Sequence, residues 1–222
     1  MSVTVVADAG SCFCGRRDFA LELVRVAKEI GCSVVKFQLF SGEEFTKHGN
    51  IEMPKDLFRE CYLEGKRLGI PVTASVFDDS WASFLSTFEV PFVKFAYSRR
   101  LDLAKIQGLL NIGRKVVVST NPMDAWALPR HPNLVKLFCP QVPESTYPNF
   151  MEIDFEGLIP ERFDGFSDHS CGTKQTIKAV KHGATWIERH LRLTDEECDR
   201  VPDGKFALLP RQLENLIKEI KP

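Results

Sequence analysis

Two lysines stand inside apolar, β-forming runs: Lys36 in Val34-Val35-Lys36-Phe37-Gln38 and Lys94 in Phe92-Val93-Lys94-Phe95-Ala96. An ammonium group in such a run is costly to bury unless it faces an anion. Two readings are open. One is an internal salt bridge with Asp8 or Glu188 as partner. The other is an anionic substrate held by both cations, with hydroxyls from Ser75, Ser119 and Ser167, and both phosphate and carboxylate would suit it. Two histidines close later runs, in Ser167-Asp168-His169 and Glu188-Arg189-His190. Imidazoles so placed could share one divalent cation, with Asp168 and Glu188 as supporting or substrate-facing carboxylates. A histidine pair alone makes an open site that a solvent or substrate oxygen would complete. His48, His131 and His182 fall in loops or a helical stretch and read as surface residues.

Positioning these groups requires a repeating scaffold, and the chain alternates β-rich runs with amphipathic helical ones. Expected strands cover residues 4–9, 33–39, 71–77, 92–96, 115–120, 134–139, 164–167 and 185–190. Expected helices cover 18–30, 55–68, 80–88, 101–111, 173–182 and 210–221, with only a turn at 123–128 and a weak helix at 155–158. Leu21, Val24, Ala27 and Ile30 recur at helical spacing, and Gly31 is a natural stop. Strand-then-helix units favour a parallel sheet, and eight of them favour closure into a single (β/α)8 TIM-type barrel spanning residues 1–222. The open doubly wound sheet is the alternative. It lacks its dinucleotide fingerprint, because Ala9-Gly10-Ser11-Cys12-Phe13-Cys14-Gly15 has too few glycines at the required spacing. In a barrel, Asp8, Lys36, Ser75, Lys94, Ser119, Ser167, His169, Glu188 and His190 all reach the carboxyl ends of strands, where such enzymes place their chemistry.

The formal net charge of −1 offers no global attraction to nucleic acid or anionic lipid, so small molecules are the expected partners. No apolar run approaches a membrane span. The start goes directly into a strand-like run without a basic segment and cleavage site, so a cytoplasmic location is expected. The seven cysteines are odd in number and scattered, which suits reduced thiols in that compartment and not a disulfide framework.

Val34-Val35-Lys36-Phe37-Gln38, Val93-Lys94-Phe95-Ala96, Val117-Val118-Ser119-Thr120, Gly165-Phe166-Ser167-Asp168-His169-Ser170 and Gly183-Ala184-Thr185-Trp186-Ile187-Glu188-Arg189-His190 follow one another in order. Together they resemble the sialic acid synthase family, which makes N-acylneuraminates and related nonulosonates, and the likeness runs from Val6 to about Leu208. The resemblance implies condensation of phosphoenolpyruvate with an open-chain acylamino sugar aldehyde of the N-acetylmannosamine type. It implies a divalent metal, usually manganese, with magnesium, cobalt and zinc as alternatives. It implies metal binding by His169 and His190, and phosphoenolpyruvate binding by Lys36, Lys94, Ser119 and Ser167, to which the strand-end reading adds Ser75. Sugar contacts would fall to Tyr147, Glu188 and Asp203, with Asp8, Glu188 and Asp203 as the catalytic carboxylates.

The chain departs from the family pattern at defined places. Asp8 stands where Glu is usual, Cys12-Phe13-Cys14-Gly15 replaces a loop of the Asn-His-Asn-Gly type, and Tyr97 replaces a serine, with Ser98 displaced by one. Cys139-Pro140-Gln141 departs from a Cys-Thr-Ser pattern, and Gly204 stands where a histidine is expected. The sequence given stops after the last expected barrel helix, so a C-terminal antifreeze-like domain would have to come from a separate chain, and a homo-oligomer is the other partner expected. Two further readings stay open beside the synthase: a barrel lyase or isomerase using the same anion pocket, and a barrel that binds an anion without catalysis. Either Cys12 or Cys14 joins the metal site, favouring zinc or iron, or the loop thiols pack against Phe13.

Overall fold

A computed structural model describes residues 2–42, 46, 49–140, 152–198 and 200–221. Eight parallel strands close into a barrel in sequence order, with β1 hydrogen-bonded to both β2 and β8. The strands are β1 (Thr4–Gly10), β2 (Val34–Leu39), β3 (Val72–Val76), β4 (Val93–Phe95), β5 (Val116–Thr120), β6 (Leu134–Phe138), β7 (Gly165–Asp168) and β8 (Trp186–His190). Around them lie α1 (Arg17–Glu29), α2 (Lys55–Leu68), α3 (Asp79–Leu85), α4 (Leu103–Asn111), α5 (Lys174–Lys181), α6 (Asp195–Cys198) and α7 (Pro210–Ile220). The expected (β/α)8 barrel is therefore the observed fold.

The helices follow from their periodicity. In α1, Ala20, Leu23, Val24 and Ala27 are buried at the spacing of one helix face. In α2 the buried face is Leu57, Phe58, Cys61, Tyr62 and Gly65, and the helix ends at Gly69 in the left-handed conformation. Asp78, which follows β3, caps α3 by accepting from the Trp81 N–H at 2.9 Å, so it serves the helix and does not reach the site.

Two expectations fail locally. The weak helix at 155–158 is instead a series of turns over residues 156–162. Gly157 takes φ +66° there, and Pro160 offers no N–H to continue a helical ladder. The loop after β8 also holds structure that its sequence did not announce, the short α6 and a 3-10 turn at Pro202–Lys205. After β5 the connection is only a 3-10 turn, Asp124–Trp126, as expected from the shortness of that segment.

The alternation of side chains along each strand divides the barrel interior into two levels. Toward the amino ends of the strands, Val6, Val34, Phe92, Val117, Val135 and Leu137 pack together, with Trp186 against them. Two residues further along five of those strands stand Asp8, Lys36, Lys94, Ser119 and Glu188, all buried. The apolar level is thus a plug beneath a polar level. Gly165 belongs to this design, because a Cβ there would overlap the Trp186 backbone and push β7 away from β8.

Candidate active site

The polar level forms the floor of a cavity of about 210 Å³ at the carboxyl ends of the strands. Asp8, Lys36, Ser75, Lys94, Ser119, Ser167, His169, Glu188, His190 and Asp203 all line it, so of the expected site residues that the structure describes only Asp168 stays outside. Tyr147, the other expected sugar contact, lies outside the described residues. A larger cavity of about 440 Å³ lies outside the barrel beside α3 and α4, with Val76, Leu85, Val93, Leu109 and Ile112 on its walls. It has no converging buried polar groups, so the smaller cavity is the one equipped for chemistry.

Strand register sets the floor. Asp8 pairs with Lys36 on one side and with His190 on the other, Ser75 pairs with Lys94, and Ser167 pairs with Glu188. Lys36 Nζ lies 2.6 Å from Asp8 Oδ2 and 3.1 Å from Ser75 Oγ. Lys94 Nζ lies 2.7 Å from Ser119 Oγ and 3.0 Å from the Phe95 carbonyl. Glu188 bridges the two cations, with Oε1 3.5 Å from Lys94 Nζ and Oε2 3.9 Å from Lys36 Nζ, and Oε1 also accepts from Ser167 Oγ at 2.9 Å. The internal salt bridge weighed for these lysines is therefore present, in the same place as the anion pocket.

These contacts set the protonation states. Burial opposes the charge on Lys36, but Asp8 and Glu188 outweigh it and raise its pKa. Lys94 has hydroxyl and carbonyl partners and a more distant carboxylate. Burial, with Lys36 nearby, lowers its pKa. Burial would also raise the Glu188 carboxyl, yet the two lysines and Ser167 pull it down to about 2. Glu188 is thus an anion, with Oε2 buried and lacking a hydrogen-bond partner among the described residues.

At the mouth, His169 and His190 face each other with ring centroids 5.3 Å apart, and Phe206 covers both at 5.1 and 5.2 Å. Burial and the neighbouring His190 push His169 down to about 4, which leaves a neutral imidazole with a lone pair. His190 Nε2 lies 3.4 Å from Asp8 Oδ2 and 3.9 Å from Asp203 Oδ1, while its Nδ1 is buried without a hydrogen-bond partner. Asp203 is held by the Ser11 N–H at 3.0 Å and by Gln38 Nε2 at 3.4 Å. Gly10 makes room for it at φ +44°, since a Cβ there would overlap the Asp203 carboxylate.

Among the described residues no three histidine, cysteine, aspartate or glutamate side chains gather around one point. The donor set nevertheless fits a divalent cation of borderline softness in an open site, with a buried unpartnered imidazole nitrogen, a neutral second imidazole and carboxylates beside them. The floor adds an electrostatic reason. Asp8, Glu188 and Asp203 against Lys36 and Lys94 formally leave one excess negative charge, so an incoming anion would be helped by an accompanying cation.

One expectation is corrected and one alternative is decided. Asp168 does not face the site: it points outward, 2.7 Å from Arg189 Nη1, and accepts from Ser170 and Thr176. Cys12 packs with Val201 and Ala207, and Cys14 Sγ donates to the Cys12 carbonyl at 3.5 Å, so neither thiol lines the cavity. The thiol that does is Cys139, 3.8 Å from His169 Nδ1 and pushed up to about 12 by burial. Gln38, which ends β2 with Lys36 in the sequence reading, lines the cavity too, and Tyr97, Ser98 and Cys139 line it without having been selected as site residues. Period-two counting from Lys36 leads to Gln38, but nothing in sequence marked Phe206.

A polar cavity with two buried lysines on its floor and two histidines at its mouth, at the carboxyl ends of a parallel (β/α)8 barrel, is the arrangement of a barrel enzyme's active site. The sequence profile of the NeuB family matches residues 23–125 and 156–222, and the chain belongs to that family. It is 26% identical to the N-acetylneuraminate-9-phosphate synthase of Homo sapiens over 250 residues, 98% of this chain and 69% of that protein. It is 26% identical to the N,N'-diacetyllegionaminic acid synthase of Legionella pneumophila over 264 residues, 100% of this chain and 72% of that protein. The crystal structure of the sialic acid synthetase of Leptospira borgpetersenii serovar Hardjo-bovis in complex with citrate superposes with a TM-score of 0.83 at 20% identity. That likeness covers 100% of this chain and 83% of the other. Among the described residues no helix is long and apolar enough to cross a membrane.

Proposed function

We propose that this chain condenses phosphoenolpyruvate with the open-chain aldehyde of an acylamino sugar, of the N-acetylmannosamine type, to give a nonulosonic acid and phosphate. The observation that carries this reading is the ring in which Glu188 bridges Lys36 and Lys94 while its Oε2 has no hydrogen-bond partner among the described residues. Phosphoenolpyruvate brings a phosphate and a carboxylate, which gives Lys36, Lys94 and the hydroxyls of Ser75, Ser119 and Ser167 anionic oxygens to hold.

The enol carbon of phosphoenolpyruvate attacks the aldehyde carbon. The carbonyl electron pair moves to oxygen, which takes a proton and becomes a hydroxyl. The cationic carbon left behind adds water, which loses a proton, and the new hydroxyl then loses its own proton and becomes the ketone carbonyl as the carbon–oxygen bond to phosphate breaks and the electron pair leaves with phosphate. Glu188, an anion at the centre of the floor, faces that positive charge as it develops. Asp203 and Asp8 lie where they could accept the water proton or a sugar hydroxyl. His169 and His190 would hold a divalent cation, manganese foremost, which supplies Lewis-acid polarisation of a carbonyl.

The test is phosphate release from phosphoenolpyruvate with manganese across a panel of acylamino sugars, with His169→Ala as control. Release that requires a sugar and is lost in the variant is the expected result. Release without any sugar would favour a lyase. No release despite phosphoenolpyruvate binding would place part of the acceptor site on another chain or leave a barrel kept for binding.

A further inference from the structure

We propose that Tyr97 is a substrate-binding residue whose phenol O–H donates a hydrogen bond to an oxygen of the anion held in the lysine cavity. The inference rests on the anion-binding role of that cavity and adds a ligand outside the lysine and serine set.

Tyr97 opens the 3-10 turn Tyr97–Arg99 after β4, three residues beyond Lys94, and lines the same cavity as Lys94 and Ser119. Its ring is clamped. The Arg100 guanidinium lies 4.0 Å from the ring centroid, fixed by Asp124 Oδ2 at 2.6 Å and by the Tyr97 carbonyl at 2.9 Å. Such a cation over an aromatic face holds the ring in one orientation.

The neighbouring amide determines the direction of the phenol hydrogen bond. Asn121 Oδ1 accepts the Asp124 N–H at 2.8 Å, so the carbonyl end of the amide is committed. Its Nδ2 therefore donates, to Asp124 Oδ2 at 2.7 Å and to the Tyr97 oxygen. A hydroxyl that accepts there keeps its own proton for another partner. Among the described residues no group accepts that proton.

The floor makes this donor significant. Lys36 is engaged by Asp8 and Ser75, and Lys94 by Ser119 and the Phe95 carbonyl, so much of the cationic donor capacity is already in use. Phosphate and carboxylate oxygens take several donors each. Tyr97, clamped and half-buried, lines the same cavity with its hydroxyl proton uncommitted among the described residues.

The experiment is calorimetric titration of the full chain and of Tyr97→Phe with phosphoenolpyruvate and, separately, with inorganic phosphate, without sugar or metal. Tyr97→Phe should weaken phosphoenolpyruvate binding about 10- to 100-fold, the usual loss for a hydrogen bond to a charged group, with an unchanged thermal midpoint. A parallel loss for inorganic phosphate assigns the bond to the phosphate end, and a loss for phosphoenolpyruvate alone assigns it to the carboxylate end. Asn121→Leu, which frees the phenol to rotate, should give a smaller loss in the same direction. Wild-type affinity in Tyr97→Phe for both probes overturns the proposal, as does the absence of binding of either probe to the wild type. Weakened binding in Tyr97→Phe with no sugar-dependent turnover in the wild type would keep Tyr97 as an anion ligand while placing part of the acceptor site on another chain or leaving a barrel kept for binding.

Discussion

Two buried charge networks lie back to back on β8, fed by consecutive residues. Glu188 and His190 point into the barrel, while Arg189 points out between the strands and the helices. The outer network is nearly saturated. Arg189 is fully buried, binds Asp168 Oδ2 at 2.7 Å, and donates to the carbonyls of Asp168, Ser170, Gly172 and Phe206. Among the described residues its Nε has no hydrogen-bond partner. Asp168 in turn accepts from Ser170 and Thr176. The inner network is equally buried but opens onto a cavity, with Glu188 Oε2 and His190 Nδ1 unpartnered. Burial and charge pairing alone therefore do not mark a site. The distinguishing features are the unmet valences and the space in front of them. The outer network still serves the inner one indirectly, since Arg189 anchors the backbone of the segment that carries Phe206 and lies beside Asp203.

The comparison can be broken by substituting on each side. Lys94→Met should lower sugar-dependent phosphate release by about 10²–10³-fold, the usual cost of removing a group that stabilises transition-state charge, and should abolish the thermal stabilisation given by phosphoenolpyruvate. Asp168→Asn should do the reverse, costing about 3–5 kcal/mol in urea unfolding because it strands a buried guanidinium, while kcat per folded molecule stays near wild type. If Asp168→Asn instead impaired turnover without loss of stability, the division into structural and functional networks would be wrong.

The smallest effect sharpens the contrast through pH. His169 is depressed to about 4 in the fold, against an ordinary value of about 6.5, so between those values the unfolded chain binds more protons. Stability is then lost as pH falls from about 6.5 toward 4. Glu188, depressed to about 2, contributes stability that is present above the ordinary carboxylate value of about 4.3 and lost as pH falls through about 2. In the chain without added metal, unfolding free energies measured against pH should show the first slope in wild type and a flatter one in His169→Gln. An unchanged slope would contradict the burial argument for His169.

Much of the site was legible because strand periodicity and chemical type agree. Lys36 and Lys94 in apolar runs signalled a polar level inside a barrel, and counting by two from Val6, Val34 and Val117 leads to Asp8, Lys36 and Ser119. The same counting separates Glu188 from Arg189 and Ser167 from Asp168, a distinction that reading Ser-Asp-His as one block missed. Cys139 and Tyr97 were harder to recognise, since a thiol in a β-run and a tyrosine in a turn usually pack.

The sequence by itself determined the eight-unit barrel, the family, and the set of residues at the carboxyl ends of the strands, because these depend on local periodicity and residue type. Only the tertiary structure decided which charges are satisfied, that Asp203 and Phe206 fold back over β1 and the histidine pair, that Cys139 and not Cys12 or Cys14 reaches the site, and that the Tyr97 oxygen accepts from Asn121. Those depend on distances between residues far apart in the chain, which the closure of the barrel fixes and no local pattern encodes.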